Sequence, residues 1–110
     1  MTPDQETARR RRLVSAAKAL LSLQVGLAVG GLRMIGILHS LGKPYEQAHA
    51  VFFEFINSIP MDIPLGGARL LWNPGPMLES DARLAEVEAA YRRLLLEECV
   101  RIIEMYGARI

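Results

Sequence analysis

The 110 residues of this chain are enough for one domain with a single core and too few for two. Their formal net charge of +1 gives no bulk electrostatic field that would favour nucleic acid, so no nucleic-acid partner is expected. The single cysteine excludes an intramolecular disulfide and a cysteine-cluster zinc site. It leaves the redox compartment open but fits a reducing cytoplasm, which is the expected location.

The first predicted element is a long helix over residues 3–40. Thr2 can cap this helix, Pro3 suits its first turn, and Gln5 can return the capping hydrogen bond. Apolar residues then recur at alternating steps of three and four, which is the spacing of one helix face. This stripe consists of Leu13, Ala16, Leu20, Leu23, Leu27, Gly30, Met34, Ile37 and Leu41.

Residues 19–38 carry a single charge, Arg33, and allow two interpretations. The segment is long enough to cross a bilayer, and the arginines at positions 9–12 would be its positive flank. However, Arg33 lies well inside the span, and the rest of the chain needs an apolar helix to pack against. We therefore expect a buried central helix, easily broken at Gly30–Gly31 because adjacent glycines weaken a helix. Membrane association remains the alternative.

Three elements follow the first helix. A second helix is predicted over residues 44–57, with His49 on its outward side. Residues 58–79 mix prolines and glycines with large apolar residues, which predicts an ordered, packed loop. Ser80 can cap a third, amphipathic helix over residues 80–106, antiparallel to part of the first.

These elements predict an all-α fold. The architecture is a small helical bundle in a single domain over residues 1–110, with a long glycine-containing central first helix, a shorter second helix, a packed Pro/Gly loop and a long C-terminal helix. Three helices cannot fully cover a first helix that is apolar on both sides. We therefore expect a homodimer, with residues 26–38 or the third helix at its interface.

Arg33 is the most informative single charge in the sequence. In a structural interpretation it pairs with Glu54 or Glu98 inside the bundle. In a functional interpretation Arg33 and Arg69 converge on an anionic ligand or on a carboxylate of a partner. Arg69 also precedes Trp72, and the two can form a recognition surface, although Trp72 can instead close the open end of the bundle. The candidate binding residues are thus Arg33, Glu54, Arg69 and Trp72.

No motif for catalysis, metal binding or nucleotide binding stands out. His39 and His49 are ten residues apart and lack the spacing of metal ligands on one helix face. Cys99 lies beside the apolar stripe of the third helix, so we expect it in the core. The arginines at positions 9–12 are interpreted as a solvated face. We expect no cofactor, no metal and no enzymatic activity.

The chain also carries a loose combination of features: a glycine-punctuated apolar helix, a P-x-G-x-x-R-x-x-W loop over residues 64–72, and a closing helix with Cys99 near its end. Across residues 13–105 this combination resembles small, uncharacterised bacterial all-helical proteins. Some of them are companions of toxin systems, so the resemblance implies a bacterial cytoplasmic binding protein. The expected function is a non-enzymatic protein-interaction module, a regulator or inhibitor of another protein. The alternatives are a membrane-associated accessory protein using residues 19–38, or a small anionic-ligand binder.

Overall fold

The computed structural model describes residues 1–60 and 74–107, with side chains from residue 82 onward in the second range. Over these residues the protein is all-α, as the sequence predicts. The described helices, in chain order, are α1 (Pro3–Leu21), α2 (Leu27–Leu41), α3 (Lys43–Ala48), α4 (Val51–Asn57) and α5 (Pro74–Tyr106).

The start of α1 is the capping box that the sequence predicts. The Thr2 hydroxyl accepts a hydrogen bond from the Gln5 backbone N–H at 3.2 Å. The Gln5 side-chain oxygen accepts one from the Thr2 backbone N–H at 3.0 Å. Both bonds satisfy N–H groups that have no partner inside the helix, so this boundary depends on local chemistry alone.

The prediction of one helix over residues 3–40 is wrong, because the chain turns at residues 22–26 and α2 returns along α1. Leu23 adopts a left-handed backbone conformation with φ of 59°, which ends α1. The Ser22 hydroxyl donates to the Lys18 carbonyl oxygen at 2.9 Å and so satisfies part of the helix end. The chain then enters α2 through an extended Gly26. Residues 19–38 are therefore divided between two helices.

Gly30 and Gly31, the place where the predicted long helix is weakest, lie in the interior of α2 and allow two close helix contacts. A Cβ built on Gly30 would lie 2.8 Å from Leu20 Cγ of α1, closer than side chains pack. A Cβ on Gly31 would lie 3.2 Å from the Phe55 ring of α4. The helix propensity lost at these glycines is offset by the packing that they permit on both sides of α2.

The predicted second helix is also divided, into α3 and α4, by a turn at His49 and Ala50. This turn directs the His49 side chain inward, where only 1% of the residue is exposed. The expectation that His49 faces outward is therefore wrong. A continuous helix over residues 44–57 would have kept the 3.6-residue periodicity on which that expectation rested.

The C-terminal helix begins at Pro74 rather than at Ser80, so Ser80 lies inside α5 and is not its N-cap. Prolines at positions 74 and 76 are compatible with this start, because the first turn of a helix does not use its N–H groups. The predicted loop over residues 58–79 is shorter accordingly. Its middle part, residues 61–73, lies outside the described residues.

Two helices, α2 and α5, run opposite to α1. Arg9 Nη1, near the start of α1, donates to the Ser40 carbonyl oxygen near the end of α2 at 2.6 Å. Tyr106, at the end of α5, lies at this same end of the molecule, with its ring 5.5 Å from the Arg10 guanidinium carbon. Consequently α2 and α5 both finish where α1 begins, and α5 is antiparallel to α1 as expected.

The core lies between these helices and is built from aliphatic and aromatic side chains. Its largest fully buried hydrophobic members are Leu13, Leu20, Met34, Leu38, Phe52, Phe55, Leu95 and Ile102. Near the middle of α5, the Phe55 ring of α4 packs against the Tyr91 ring with centroids 5.6 Å apart. No helix within residues 1–60 and 74–107 is both long and apolar enough to cross a bilayer.

Candidate functional site

Arg33 is exposed, and the structural pairing predicted for it is wrong. It makes no hydrogen bond or ion pair with any described residue, Glu54 and Glu98 included. Glu54 is exposed on α4. Glu98 is buried and bonds His49 and Arg101 instead. The helical position of Arg33 directs it outward beside α1, which the apolar sequence around it did not reveal.

Arg69 and Trp72, the other two candidate binding residues, lie outside the described residues. The expected convergence of Arg33 with Arg69 therefore stays a prediction, and so does the recognition surface at Trp72. Within the described part of the chain, Arg33 and Glu54 are not brought together into one site.

The side chain that does accompany Arg33 is Arg12. The two arginines belong to α2 and α1, and they line a shallow groove of about 260 Å³ between these helices. Ala16 and Ile37, which are 5% and 6% exposed, form its apolar floor, and Ser15 adds a hydroxyl. Arg12, like Arg33, has no hydrogen-bonding or ionic partner among the described residues. Two guanidinium groups on one groove make it a candidate site for an anionic group.

Exposed apolar groups lie on the outward side of α2, the helix that carries Arg33. Val29 and Leu32 are 41% and 39% exposed, and their spacing from Arg33 places them on the outward side of α2. Gly36 is on the same side, and a Cβ built on it would meet nothing within 4 Å. We call this combined region the α1–α2 surface, defined by Arg12, Ser15, Val29, Leu32, Arg33 and Gly36.

The charged residues that define the α1–α2 surface, Arg12 and Arg33, are both positive. No Asp or Glu occurs between Thr7 and Tyr45, a range that covers most of α1 and all of α2. The carboxylates of the chain lie before that range or after it. The positive residues in the range are Arg9, Arg10, Arg11, Arg12, Lys18, Arg33 and Lys43. A near-neutral protein therefore carries a locally positive surface, which the net charge alone conceals.

A second polar cluster lies inside the bundle and centres on His49. His49 Nδ1 is 2.6 Å from Glu98 Oε2, and Nε2 is 2.9 Å from the Tyr106 hydroxyl. With the proton on Nδ1, the imidazole donates to the carboxylate and accepts from the phenol, so both nitrogens are satisfied. Arg101 Nη1 donates to the other carboxylate oxygen at 3.1 Å. This cluster joins the turn between α3 and α4 to α5.

Arg10 continues the polar contacts toward α1. Its guanidinium lies over the rings of Tyr45 and Tyr106 at 5.6 and 5.5 Å. Arg10 Nε donates to the Tyr45 hydroxyl at 2.7 Å, and that hydroxyl donates to Glu6 at 2.5 Å. The hydrogen bond to Tyr45 raises the Arg10 pKa, and burial raises the pKa of both phenols.

A cavity of about 280 Å³ beside Pro44 is lined by this Arg10–tyrosine contact. Its charged group already has a counter-ion, because Arg10 Nη2 bonds Glu6 at 3.0 Å. The arginines of the α1–α2 surface lack such a partner among the described side chains. The α1–α2 surface is therefore the better candidate for binding an external group.

Cys99 lies in the core, as the sequence predicts, with no exposed surface. Burial, with a smaller contribution from the charge of Glu98, raises the pKa of its thiol to about 12. The thiol is therefore protonated at neutral pH and is a poor nucleophile.

Two groups of polar residues in the structure were not predicted from the sequence. Arg12 was interpreted as one member of a solvated face, although the absence of carboxylates from residues 7 to 45 marks the basic surface in the sequence itself. The pairing of His49 with Glu98 and Tyr106 left no such signal, because these residues are far apart in the chain and meet only through the packing of α5.

No family model matches this chain, and neither a curated protein nor a solved structure matches it. The resemblance to small bacterial helical proteins therefore stays a prediction. The function has to be inferred from the chemistry of the α1–α2 surface.

Proposed function

We propose that this protein is a non-enzymatic protein-interaction module, a regulator or inhibitor of another protein, and that it binds its partner through the α1–α2 surface. One observation carries the proposal. Arg12 and Arg33 lie on one groove without an internal counter-ion in the described structure, beside the exposed side chains of Val29 and Leu32.

The composition of this surface is that of a binding interface. Arginine is among the residues that contribute most to protein–protein affinity, especially where apolar neighbours exclude water from its contacts. An exposed arginine is well solvated in the free protein, so leaving it unpaired costs little until a partner covers it. A partner carboxylate then gains a charge-assisted, bidentate hydrogen bond.

The other polar groups of the described structure favour binding over catalysis. His49, Glu98 and Tyr106 could in principle transfer protons, but they bond one another and His49 is buried. A general acid or base must reach the substrate within hydrogen-bond distance. The single cysteine is buried with a raised pKa, and it supports a cytoplasmic location, where a free thiol stays reduced.

Affinity capture from a lysate of the native host tests the proposal. Three baits are compared: the wild-type chain, Arg33→Glu, and Arg92→Glu, a matched charge reversal at an exposed position of α5. We expect the same protein to be recovered by the wild type and by Arg92→Glu, and to be lost with Arg33→Glu. Recovery of identical proteins by all three baits, or of none by the wild type, would contradict it. Circular dichroism confirms that each bait is folded.

A small anionic ligand is a second candidate for the same groove, because Arg12, Arg33 and the Ser15 hydroxyl surround a space of about 260 Å³. Glu54, assigned to this site from the sequence, is not one of the residues that line the groove. Inorganic phosphate and succinate are suitable probes. A rise in melting temperature of the wild type, absent in Arg33→Glu, would favour this function over protein binding.

A further inference from the structure

The shape and charge of the α1–α2 surface match one class of partner. We infer that this surface binds an acidic amphipathic helix of another protein, with one Glu or Asp side chain placed between Arg12 and Arg33. The inference rests on the proposed function and specifies the chemistry of the partner.

The groove explains why the partner helix should carry a Glu or Asp residue. Its apolar floor, Ala16 and Ile37, can receive the methylene groups of a side chain, while Arg12 and Arg33 stand on opposite helices on either side. A guanidinium binds a carboxylate through two parallel hydrogen bonds, and two of them can share its oxygens. The formal positive charges of these helices are Arg9–Arg12 and Lys18 on α1 and Arg33 on α2, and no carboxylate occurs from Thr7 to Tyr45. An acidic partner therefore meets an attractive field at the groove.

The outward side of α2 explains why the partner segment should be helical and amphipathic. Val29, Leu32 and Gly36 span two helical turns, roughly 10 Å, beside Arg33. The open space at Gly36 lets the backbone of a partner helix come close, and Val29 and Leu32 then contact its aliphatic side chains. The partner helix should accordingly carry aliphatic residues within two turns of its acidic residue.

A second copy of this chain fits the surface less well. A two-fold dimer brings the same patch of both chains together, so Arg33 would approach the positive groove of its copy. Like charges at such an interface oppose association. An anionic lipid surface matches the charge, but it is flat and broad, whereas Arg12 and Arg33 line a recess between two helices.

A displayed library of 20-residue helical peptides, randomised on one face, tests the inference directly. The full-length protein is immobilised and binders are selected against it. We expect the selected peptides to be enriched in Glu or Asp, with Leu, Ile or Val within two turns, and depleted of Lys and Arg. Selection that yields no binder, or binders without an acidic bias, would overturn the inference.

Variants then locate the binding site. Fluorescence anisotropy of a selected peptide should show binding weakened at least about tenfold by Arg33→Glu and by Gly36→Leu, which fills the space needed by the partner backbone. Two matched changes on exposed α5 positions, Arg92→Glu and Ala89→Leu, should change the affinity less than about twofold. Equal weakening by both pairs of variants would contradict the assigned surface.

Two further measurements test whether an anionic membrane or a second copy of this chain occupies the α1–α2 surface instead of the helix. Arg33-dependent sedimentation with phosphatidylserine vesicles, together with a library that yields no acidic peptide, would replace the helix by a membrane. Arg33-dependent self-association in sedimentation velocity would replace it by a second copy. If the native-host capture depends on Arg33 but the library shows no acidic bias, the proposed function stands and only the partner chemistry is wrong.

Discussion

At the scale of single residues, three glycines of one helix have three different surroundings. Gly30 faces Leu20 of α1, Gly31 faces Phe55 of α4, and Gly36 faces open space. The sequence shows all three as equivalent interruptions of a helix. Only the packed structure shows that Gly30 and Gly31 allow neighbouring helices to approach α2. It also shows that Gly36 leaves the outward side of α2 open.

Alanine substitutions at Gly36 and at Gly30 should therefore change the free energy of unfolding in opposite directions. Gly36→Ala should raise the free energy of unfolding by about 0.5–1 kcal/mol, because alanine has the higher helix propensity and meets no neighbour. Gly30→Ala should lower it by about 1–3 kcal/mol, because the new Cβ overlaps Leu20, which is 1% exposed and has no room to move. Urea denaturation measures both. Changes of the same sign would contradict this account of α2.

Cys99 should make stability fall at alkaline pH. Below pH 9 its thiol is protonated in the folded and the unfolded chain alike, so it adds no pH dependence. Above pH 9 the unfolded chain releases this proton, while the folded chain keeps it until the raised pKa of about 12. The free energy of unfolding should then fall by up to about 1.4 kcal/mol per pH unit.

Urea denaturation at pH 8, 9 and 10 measures this slope. The control is Cys99→Ala, which should be less stable at every pH but should lose the additional decline between pH 9 and 10. The tyrosines whose pKa is raised, Tyr45 and Tyr106, contribute equally to both proteins. Identical slopes with and without the thiol would show that Cys99 is not buried as described.

At the scale of elements, the sequence predicts what depends on local chemistry. The capping box of Thr2 and Gln5 involves neighbouring residues only, and it forms as expected. The turn at Leu23 escaped prediction because Leu23 is apolar and keeps the stripe of Leu20 and Leu27 in phase, so periodicity continues across the break. A helical period cannot show that the backbone reverses when the turn itself contains an apolar residue.

The start of α5 and the groove between α1 and α2 also could not be predicted from local sequence patterns. The early start of α5 depends on prolines, which are compatible both with a loop and with the first turn of a helix. Arg33 was identified as a candidate from the sequence, but the groove that it shares with Arg12 depends on the antiparallel return of α2. Contacts between helices that are distant in the chain require the packed structure.

Leu23 should be a site at which glycine stabilises the protein. It is 71% exposed, so its side chain contributes little burial, and its φ of 59° is unfavourable for any residue with a Cβ. Leu23→Gly should raise the free energy of unfolding by about 0.5 kcal/mol, the relief of strain exceeding the added flexibility of the unfolded chain. The matched control, Leu21→Gly, lies in the last turn of α1 and should lower it by about 1 kcal/mol. Thermal denaturation of both variants checks the difference.

At the scale of the whole molecule, the distribution of charge over the surface indicates which face can form the expected homodimer. The positive α1–α2 surface disfavours a two-fold contact with itself. The alternative interface named from the sequence is the C-terminal helix, and the exposed apolar side chains in its described part include Leu94 and Met105. They are eleven residues apart, which places them on one face of α5.

A homodimer should therefore form through α5. Sedimentation velocity at high micromolar concentration should show a dimer for the wild type and for Leu32→Lys on α2, and a monomer for Leu94→Lys, because burying a lysine against the partner is costly. Both substitutions are at exposed positions and leave the core unchanged. A monomeric wild type would remove the expectation of a dimer. A dimer lost with Leu32→Lys alone would move its interface to the α1–α2 surface.

The buried cluster around His49 connects distant parts of the fold, since it holds the turn between α3 and α4 against α5, and Tyr106 continues it to Arg10 of α1. Removing one member should cost more than replacing both residues of the hydrogen-bonded pair together. Glu98→Leu alone leaves a buried imidazole N–H without an acceptor and should lower the free energy of unfolding by about 1–3 kcal/mol. Glu98→Leu combined with His49→Phe leaves the Tyr106 hydroxyl without its imidazole partner and the exposed Arg101 without its carboxylate, and it should be less destabilising than Glu98→Leu. Urea denaturation of the two single variants and the double variant gives the coupling free energy. Additive losses would show that His49 and Glu98 act independently, and the connection between α5 and the α3–α4 turn would then rest on hydrophobic packing alone.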